Sequence, residues 1–286
     1  MIPPRLAVVG HVEHITLGRV EALPTVGEIV HVDAVQVFAG GGGGLALLQM
    51  LRGAEEVHAF TALGNDEAAR AVRSQLEGSG ARLHAARRET PQTRDVVLLT
   101  PDGERTILVL GAPLHPLAID PLPWELLAKC HGVYFTAEDP DALLLARRAR
   151  QLVVTARRKH VLDASGVVAD VVVGSESDAR ERSRRRDYRN PPVALVMTEG
   201  ARGGFIETAA GIRRFAAPVL PGSVRGSYGA GDSFAGALTA YLAAGFGVEE
   251  ACARAALHGA AVLGAVAPVG AQRRLDFSPA PAPSGA

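Results

Sequence analysis

The feature that most restricts the fold is a recurrence. Short, uniformly apolar runs that stop at a glycine or other small residue alternate with longer segments of helical spacing. The runs are RLAVVG from Arg5, VHAFTALG from Val57, GVYFTA from Gly132 and ADVVVGS from Ala169. A strand that is apolar at every position is covered on both faces. Such strands alternating with helices predict an α/β fold in three layers, a mostly parallel central sheet flanked by helices. DEAARAVRSQLEGSG from Asp66 is one of the helices, stopped by glycine. PDALLLARRARQL from Pro140 reads as another, with HVLDAS from His160 as the next strand. VALVMTEGARGGFIET from Val193 and GIRRFAAP from Gly211 read as further strands, and two helices follow, Asp232–Ala244 and Val248 to about Ala265.

Two segments break the pattern. GEIVHVDAVQVFA from Gly27 and TRDVVLLTPDGERTILVLG from Thr93 alternate apolar with polar residues, as half-exposed strands do. The second holds Asp102-Gly103, a hairpin-turn pair. Together they predict a small β-sheet lid, drawn from about residues 12–37 and 93–110, over the active edge of the large sheet. Residues 1–275 then make one domain, and the stretch 276–286, ending in SPAPAPSGA, is expected to be a disordered tail.

Composition narrows function by exclusion. The chain has 286 residues, 48% of them hydrophobic, enough for a large core without staples. Basic and acidic residues balance at a formal net charge of zero, so no global field draws nucleic acid or a membrane surface. No apolar run is long enough to be a signal peptide or to cross a bilayer. Cys130 and Cys252 lie far apart and read as reduced thiols of a cytoplasmic protein. The arginine-rich run 180–189, RERSRRRDYR, is read as a solvated segment in preference to a polyanion contact.

The chemistry concentrates in SYGAGDSFAGALTAYLAAG, from Ser227. A helix N-terminus offers unpaired N–H groups and a partial positive charge. Glycines there let an anion approach closely, as a phosphate would. Asp232, in the first turn, has two readings. It is a good N-cap residue. It is also the carboxylate that phosphoryl transfer to an alcohol needs, placed to take the hydroxyl proton beside an anion hole.

On these residues the chain resembles the ribokinase-like, or PfkB-type, carbohydrate kinases. SYGAGDSFAGALTAYLAAG is similar to that family's late signature and FAGGGGGLALLQMLRGA, from Phe38, to its glycine-rich loop. FTALGNDEAARAVRSQLEGSGA, DGERTILVL, LVMTEGARGG and the GAQ at Gly270–Gln272 follow in the family's order, so the likeness spans roughly residues 5–275. The resemblance implies the ribokinase-like fold, ATP as phosphoryl donor and Mg2+ as its counter-ion. It implies Asp232 as catalytic base, with the backbone of Gly229, Ala230 and Gly231 as anion hole. Thr198, Gly200 and Gly203 would lie along the nucleotide. His258 falls where the family often has an adenine-side residue, against the plainer reading of a satisfied helix histidine. Gly40 and Gly41 would let the chain pass close to a sugar. The family's frequent dimer through the lid is implied as well.

Departures are equally informative. Gly226-Ser227 stands where the family has Asp-Thr, which puts K+ activation in doubt. Its Asn-x-x-Glu motif appears as Ser175-Glu176-Ser177-Asp178, so Ser175 and Asp178 are the candidates for help to magnesium through water, with a surface carboxylate as the rival reading. The N-terminal sugar-gripping Asp is absent, and Glu13 and His14 are the nearest polar candidates. Arg105 on the hairpin is either a substrate contact or a solvated lid arginine. The expected activity is phosphorylation of a hydroxyl on a small sugar or polyol, with a nucleoside acceptor as the alternative. A non-catalytic sensor is a further alternative. So is a dinucleotide-binding protein, on the pattern Gly41-x-Gly43-x-x-Ala46 with Glu67 as its acid.

Overall fold

A computed structural model describes residues 3–220 and 222–279. The strands are β1 (Arg5–Val9), β2 (Glu13–Arg19), β3 (Asp33–Gly40), β4 (Glu56–Leu63), β5 (Arg82–Arg87), β6 (Arg94–Leu99) and β7 (Arg105–Leu110). They continue as β8 (Gly132–Phe135), β9 (Gln151–Thr155), β10 (Val171–Ser175), β11 (Ala194–Thr198), β12 (Gly204–Thr208) and β13 (Gly211–Phe215). The helices are α1 (Gly41–Met50), α2 (Glu67–Gly78), α3 (Pro140–Ala146), α4 (Lys159–Ser165), α5 (Ala230–Ala243) and α6 (Val248–Leu263).

The large sheet runs β13-β12-β11-β10-β9-β8-β1-β4-β5. It is parallel from β11 to β5, and only the β11–β12 and β12–β13 pairings are antiparallel. The uniformly apolar strands explain this. In β1, Leu6 and Val8 face one apolar layer and Ala7 and Val9 the other. α1, α2, α5 and α6 cover the first face, and α3 and α4 the second. α5 is apolar nearly all round because it sits inside its layer, against α1, α6 and the sheet.

The lid is a separate sheet in the order β3-β2-β6-β7. Its inner face carries Ile15, Leu17, Phe38, Val97 and Leu99, which pack on Leu45 and Leu48 of α1 and on Tyr228. The three-layer fold and the small lid are therefore as the sequence predicts. Several boundaries differ. Residues 27–32 form no strand, and β3 begins at Asp33. Gln151–Thr155 is a strand and Lys159–Ser165 a helix, the reverse of the sequence reading. Val153-Val154 favours a strand, but the apolar spacing from Ala142 onward hid it inside an apparent helix. β5 was not foreseen, because Arg82–Arg87 mixes half-buried polar residues at the sheet edge. Packed chain also reaches beyond residue 275: Phe277 is buried against Tyr241. Residues 280–286 of the expected tail lie outside the described residues.

Candidate active site

The crevice forms where the strand order turns back. β1 has β4 on one side and β8 on the other, so connections leave its C-terminal edge in opposite directions and open a gap. His11, just past β1, lines it. Its Nδ1 lies 2.9 Å from Thr136 Oγ1, just past β8, and the Gly42 amide donates to its Nε2 at 3.3 Å. Nε2 therefore accepts, and Nδ1 carries the proton. Burial first, and the Arg158 charge next, push its pKa down to about 4, which keeps the ring neutral.

α5 enters the crevice by its N-terminus. Gly229 is the N-cap residue, in the left-handed conformation at φ 82°, and no side chain caps the helix. The first bond at this end runs from Ser233 N to Gly229 O at 2.9 Å, so the amides before it lie outside the helical ladder. Asp232 is inside the first turn and does not cap it, so the capping reading falls. Its Oδ1 would lie 3.5 Å from a Cβ on Gly42, which places it across the crevice from the start of α1. Burial, and then the Glu181 charge, push its carboxyl up to about 6, against the pull of Arg157 and Arg105.

The lid and α1 supply the opposite wall. Glu13 pairs across from Gly40 at the base of β2 and β3. Glu13 Oε2 would lie 2.6 Å from a Cβ on Gly41, whose φ of 75° also demands glycine. The Gly41 amide donates to Tyr228 OH at 3.4 Å. Glu13 turns inward, whereas His14, next along the strand, takes the other face and stays partly exposed. Burial first, and the Asp95 charge next, raise the Glu13 carboxyl far above its ordinary range. Arg105 Nη1 donates to Ser227 Oγ at 3.2 Å, and Ser227 N donates to Gly103 O at 2.9 Å. The lid hairpin is thus clipped to the segment that leads into α5.

The remaining candidates lie along the edge next to β10. Thr198 ends β11 in register with Ser175 at the end of β10. The turn through Gly200 to Gly203 closes with Glu199 N donating to Gly203 O at 2.7 Å. Ser175 Oγ lies 2.7 Å from Ser177 Oγ. Asp178 and Glu181 both bind Arg157, the latter at 2.6 Å. His258 is not at this edge. It is 2% exposed within the helical layer, with Nε2 2.9 Å from Tyr241 OH, which makes it a core histidine. The arginine-rich run is largely tied down internally: Arg184 binds Glu176 and stacks on Phe205, and Arg185 donates to Pro192 O at 2.8 Å.

His11, Thr136, Asp95, Arg157, Arg158, Glu181 and Tyr228 were missed from the sequence. Arg157 and Arg158 follow the C-terminal end of β9, the edge where α/β sheets bind ligands, so a correct placement of that strand would have flagged them. The dinucleotide reading also falls, because the glycines at 41–44 follow β3, a lid strand, rather than a strand of the central sheet.

A family model described as pfkB family carbohydrate kinase matches residues 3–271. No curated protein sequence matches. Among solved structures, the chain is similar to ribokinase from Thermotoga maritima, with a TM-score of 0.76 and 16% identity over 95% of this chain and 96% of that one. It is similar to Arabidopsis thaliana ribokinase complexed with ribose and ATP, with a TM-score of 0.74 and 18% identity over 96% of both chains. It is also similar to a nucleoside kinase from Methanocaldococcus jannaschii, with a TM-score of 0.70 and 14% identity over 94% and 95%.

Proposed function

The chain belongs to the pfkB family of carbohydrate kinases, and from that premise we propose that it transfers the γ-phosphoryl group of ATP to a hydroxyl of a small sugar or polyol. The observation that carries this reading is Asp232, a part-buried carboxylate set beside unladdered helix amides and facing Gly42. In the reaction, the acceptor oxygen forms a bond to the γ-phosphorus while the bond from that phosphorus to the ADP oxygen breaks. Asp232 takes the hydroxyl proton, and the amides of Gly229, Ala230 and Gly231 receive the charge on the transferring oxygens. Gly40, Gly41, Glu13 and His11 orient the acceptor. Arg105 holds the lid hairpin over it. Thr198, Gly200 and Gly203 lie along ATP.

Magnesium, when bound with ATP, supplies positive charge that neutralises the phosphates. Among the described residues no three His, Cys, Asp or Glu side chains are grouped to hold a metal. Mg2+ on a nucleotide needs only one or two protein oxygens besides phosphate and water. Asp178 already accepts from Arg157 and the Arg180 amide, and Glu181 from Arg157 and the Ser175 amide, so help to the ion would run through water on their remaining lone pairs, beside the Ser175 hydroxyl. At Gly226 a Cβ would lie 2.9 Å from both Ala265 O and Val266 O. The space an acid would need there is filled by backbone, so no carboxylate at this position can serve a K+ ion.

A homodimer through the lid is part of the same reading. One outer row of the lid joins Val37, Thr16, Val96 and Leu108, with Val37 57% and Leu108 48% exposed. Sedimentation of the purified chain tests it, and a monomer at micromolar concentration removes it. The buried free thiols Cys130 and Cys252 suit a reducing, cytoplasmic setting. Among the described residues no helix is long and apolar enough to cross a membrane.

The test of the activity is coupled ADP release over sugars, polyols and nucleosides. Acceptor-dependent release with a sugar or polyol is expected. Preference for a nucleoside moves the assignment to a nucleoside kinase. ATP binding without release for any acceptor makes the protein a sensor.

A further inference from the structure

Asp95 is out of place. It occupies the inner face of the lid, in a cross-strand row with Phe38, Ile15 and Val109. The neighbouring inner row is Gln36, Leu17, Val97 and Ile107. A row facing an apolar core has no structural use for a carboxylate, and burying one unpaired is costly. Yet Asp95 is only 4% exposed, and its Oδ1 has no hydrogen-bond donor within reach. Its neighbour is a second acid, Glu13, itself only 7% exposed. Burial first and the Asp95 charge next raise the Glu13 carboxyl, while burial raises that of Asp95 and a hydrogen bond with Glu13 pulls it back.

The charges around this pair do not balance it. Among the described residues, neither carboxylate has an arginine or lysine nitrogen within 4.0 Å. The one basic group that close is the neutral His11 ring, with Nε2 3.9 Å from Glu13 Oε1. Arg158 is within electrostatic reach of Glu13 but is spent on Glu138 at 2.5 Å and on Thr136 O at 2.8 Å. Arg94, next to Asp95 in the chain, lies on the outer face and binds Asp66 at 2.8 Å. Tyr228 OH accepts from the Gly41 amide, and its phenol proton makes no hydrogen bond to either carboxylate. Asp232 adds a third acid that Glu13 feels.

We propose that Glu13 and Asp95 form a specificity site for an acceptor that carries a protonated amino group, on a carbon other than the one whose hydroxyl is phosphorylated. Glu13 lies on the same inner face as Asp95, two residues along β2 from Ile15, the cross-strand partner of Asp95. Two buried acids so placed do not both ionise without a counter-charge, so by themselves they share one proton and carry one negative charge. An ammonium group cancels that charge and brings three donors to oxygens that lack them. A neutral hydroxyl in the same place brings one donor and leaves the charge buried and unpaired. The substrate class is therefore an amino sugar or an aminocyclitol. This inference rests on the kinase reading for its hydroxyl, but its amine contact stands on binding alone.

The test uses the full chain and matched pairs: D-glucosamine with D-glucose, D-galactosamine with D-galactose, and scyllo-inosamine with scyllo-inositol. ADP release with Mg-ATP gives kcat/KM, and calorimetry gives Kd. In at least one pair the amine is expected to be favoured roughly 100-fold, the order that hydrogen bonds to a charged group supply. That ratio is expected to fall to within about threefold of unity in Asp95→Asn and in Glu13→Gln, two variants that cut the charge independently. A ratio near unity in every pair overturns the proposal, as does a preference that survives both substitutions. If amines bind selectively and lose that selectivity in the variants but no acceptor releases ADP, the carboxyl pair stands and the kinase reading fails. ADP release with the hydroxyl members alone has the opposite meaning.

Discussion

α1 and α5 begin alike and end up doing different work. Each opens on glycines, each lacks a side-chain cap, and each points its N-terminus into the same crevice. At α1 the amides already have partners, since Gly41 donates to Tyr228 and Gly42 to His11. Its glycines serve approach, letting Glu13 and Asp232 close in on the backbone. At α5 the first amides are outside the ladder and a carboxylate stands among them. One helix start is a wall and the other is a receptor. Glycine content alone does not distinguish them; the acceptors that reach the amides do.

The comparison can be broken most sharply at Asp232. Asp232→Asn is expected to lower turnover by about 100-fold or more, with ATP binding retained, because loss of a general base costs that much. Turnover near the wild-type value would remove α5 from the chemistry. Next comes a swap of alanines. At Gly231 an added Cβ meets nothing within 4 Å, so Gly231→Ala is expected to fold with unchanged or higher stability while crowding the phosphate and slowing turnover. At Gly41 the Cβ meets Glu13 at 2.6 Å on a backbone of φ 75°. Gly41→Ala is expected to lose about 1–2 kcal/mol of stability, read by urea denaturation. Equal stability losses in the two variants would erase the distinction between wall and receptor.

A smaller effect follows from protonation. Asp232 must be ionised to accept a proton, and its carboxyl is pushed up to about 6. The acid limb of kcat/KM against pH is therefore expected to bend near 6 and to move or vanish in Asp232→Asn. The same shift bears on stability. A carboxyl raised on folding stabilises the fold while it is protonated, and that contribution is lost as pH rises through the folded value. Asp232→Asn is thus expected to raise Tm relative to wild type more at pH 8 than at pH 5, by a few degrees at most, since the group is partly solvated. An identical Tm difference at both pH values would argue against a raised carboxyl. The smallest effect belongs to the hairpin clip. Arg105→Ala is expected to raise the acceptor KM by a few-fold and leave the fold intact, because its bond to Ser227 is exposed.

Much of this is legible in the chain alone. The glycine pair and Asp232 lie within four consecutive residues, so helix geometry alone places them together. Gly40, Gly41 and Glu13, to which the family resemblance pointed, meet because two adjacent strands bring them into register. Asp95, Arg157 and Glu181 were not legible. Asp95 reads locally as one polar residue of an alternating strand, and which face turns inward depends on register with β2. Arg157 was hidden by a helix read through β9. His258 follows the plainer of its two readings, a helix histidine in the core. A position that family resemblance ties to the nucleotide is filled by a buried ring bonded to Tyr241.

The sequence by itself determined the layers, the lid and the helix start that bears Asp232. These depend on periodicity and on neighbours a few residues apart, and both are written along the chain. Tertiary structure decided which glycine amides are free, which acid faces the crevice and which arginines quench which carboxylates. Those outcomes depend on groups from β2, β6, β9 and β10 meeting in space. The electrostatics of a buried site follow from distance and lost water, neither of which is set by position in sequence.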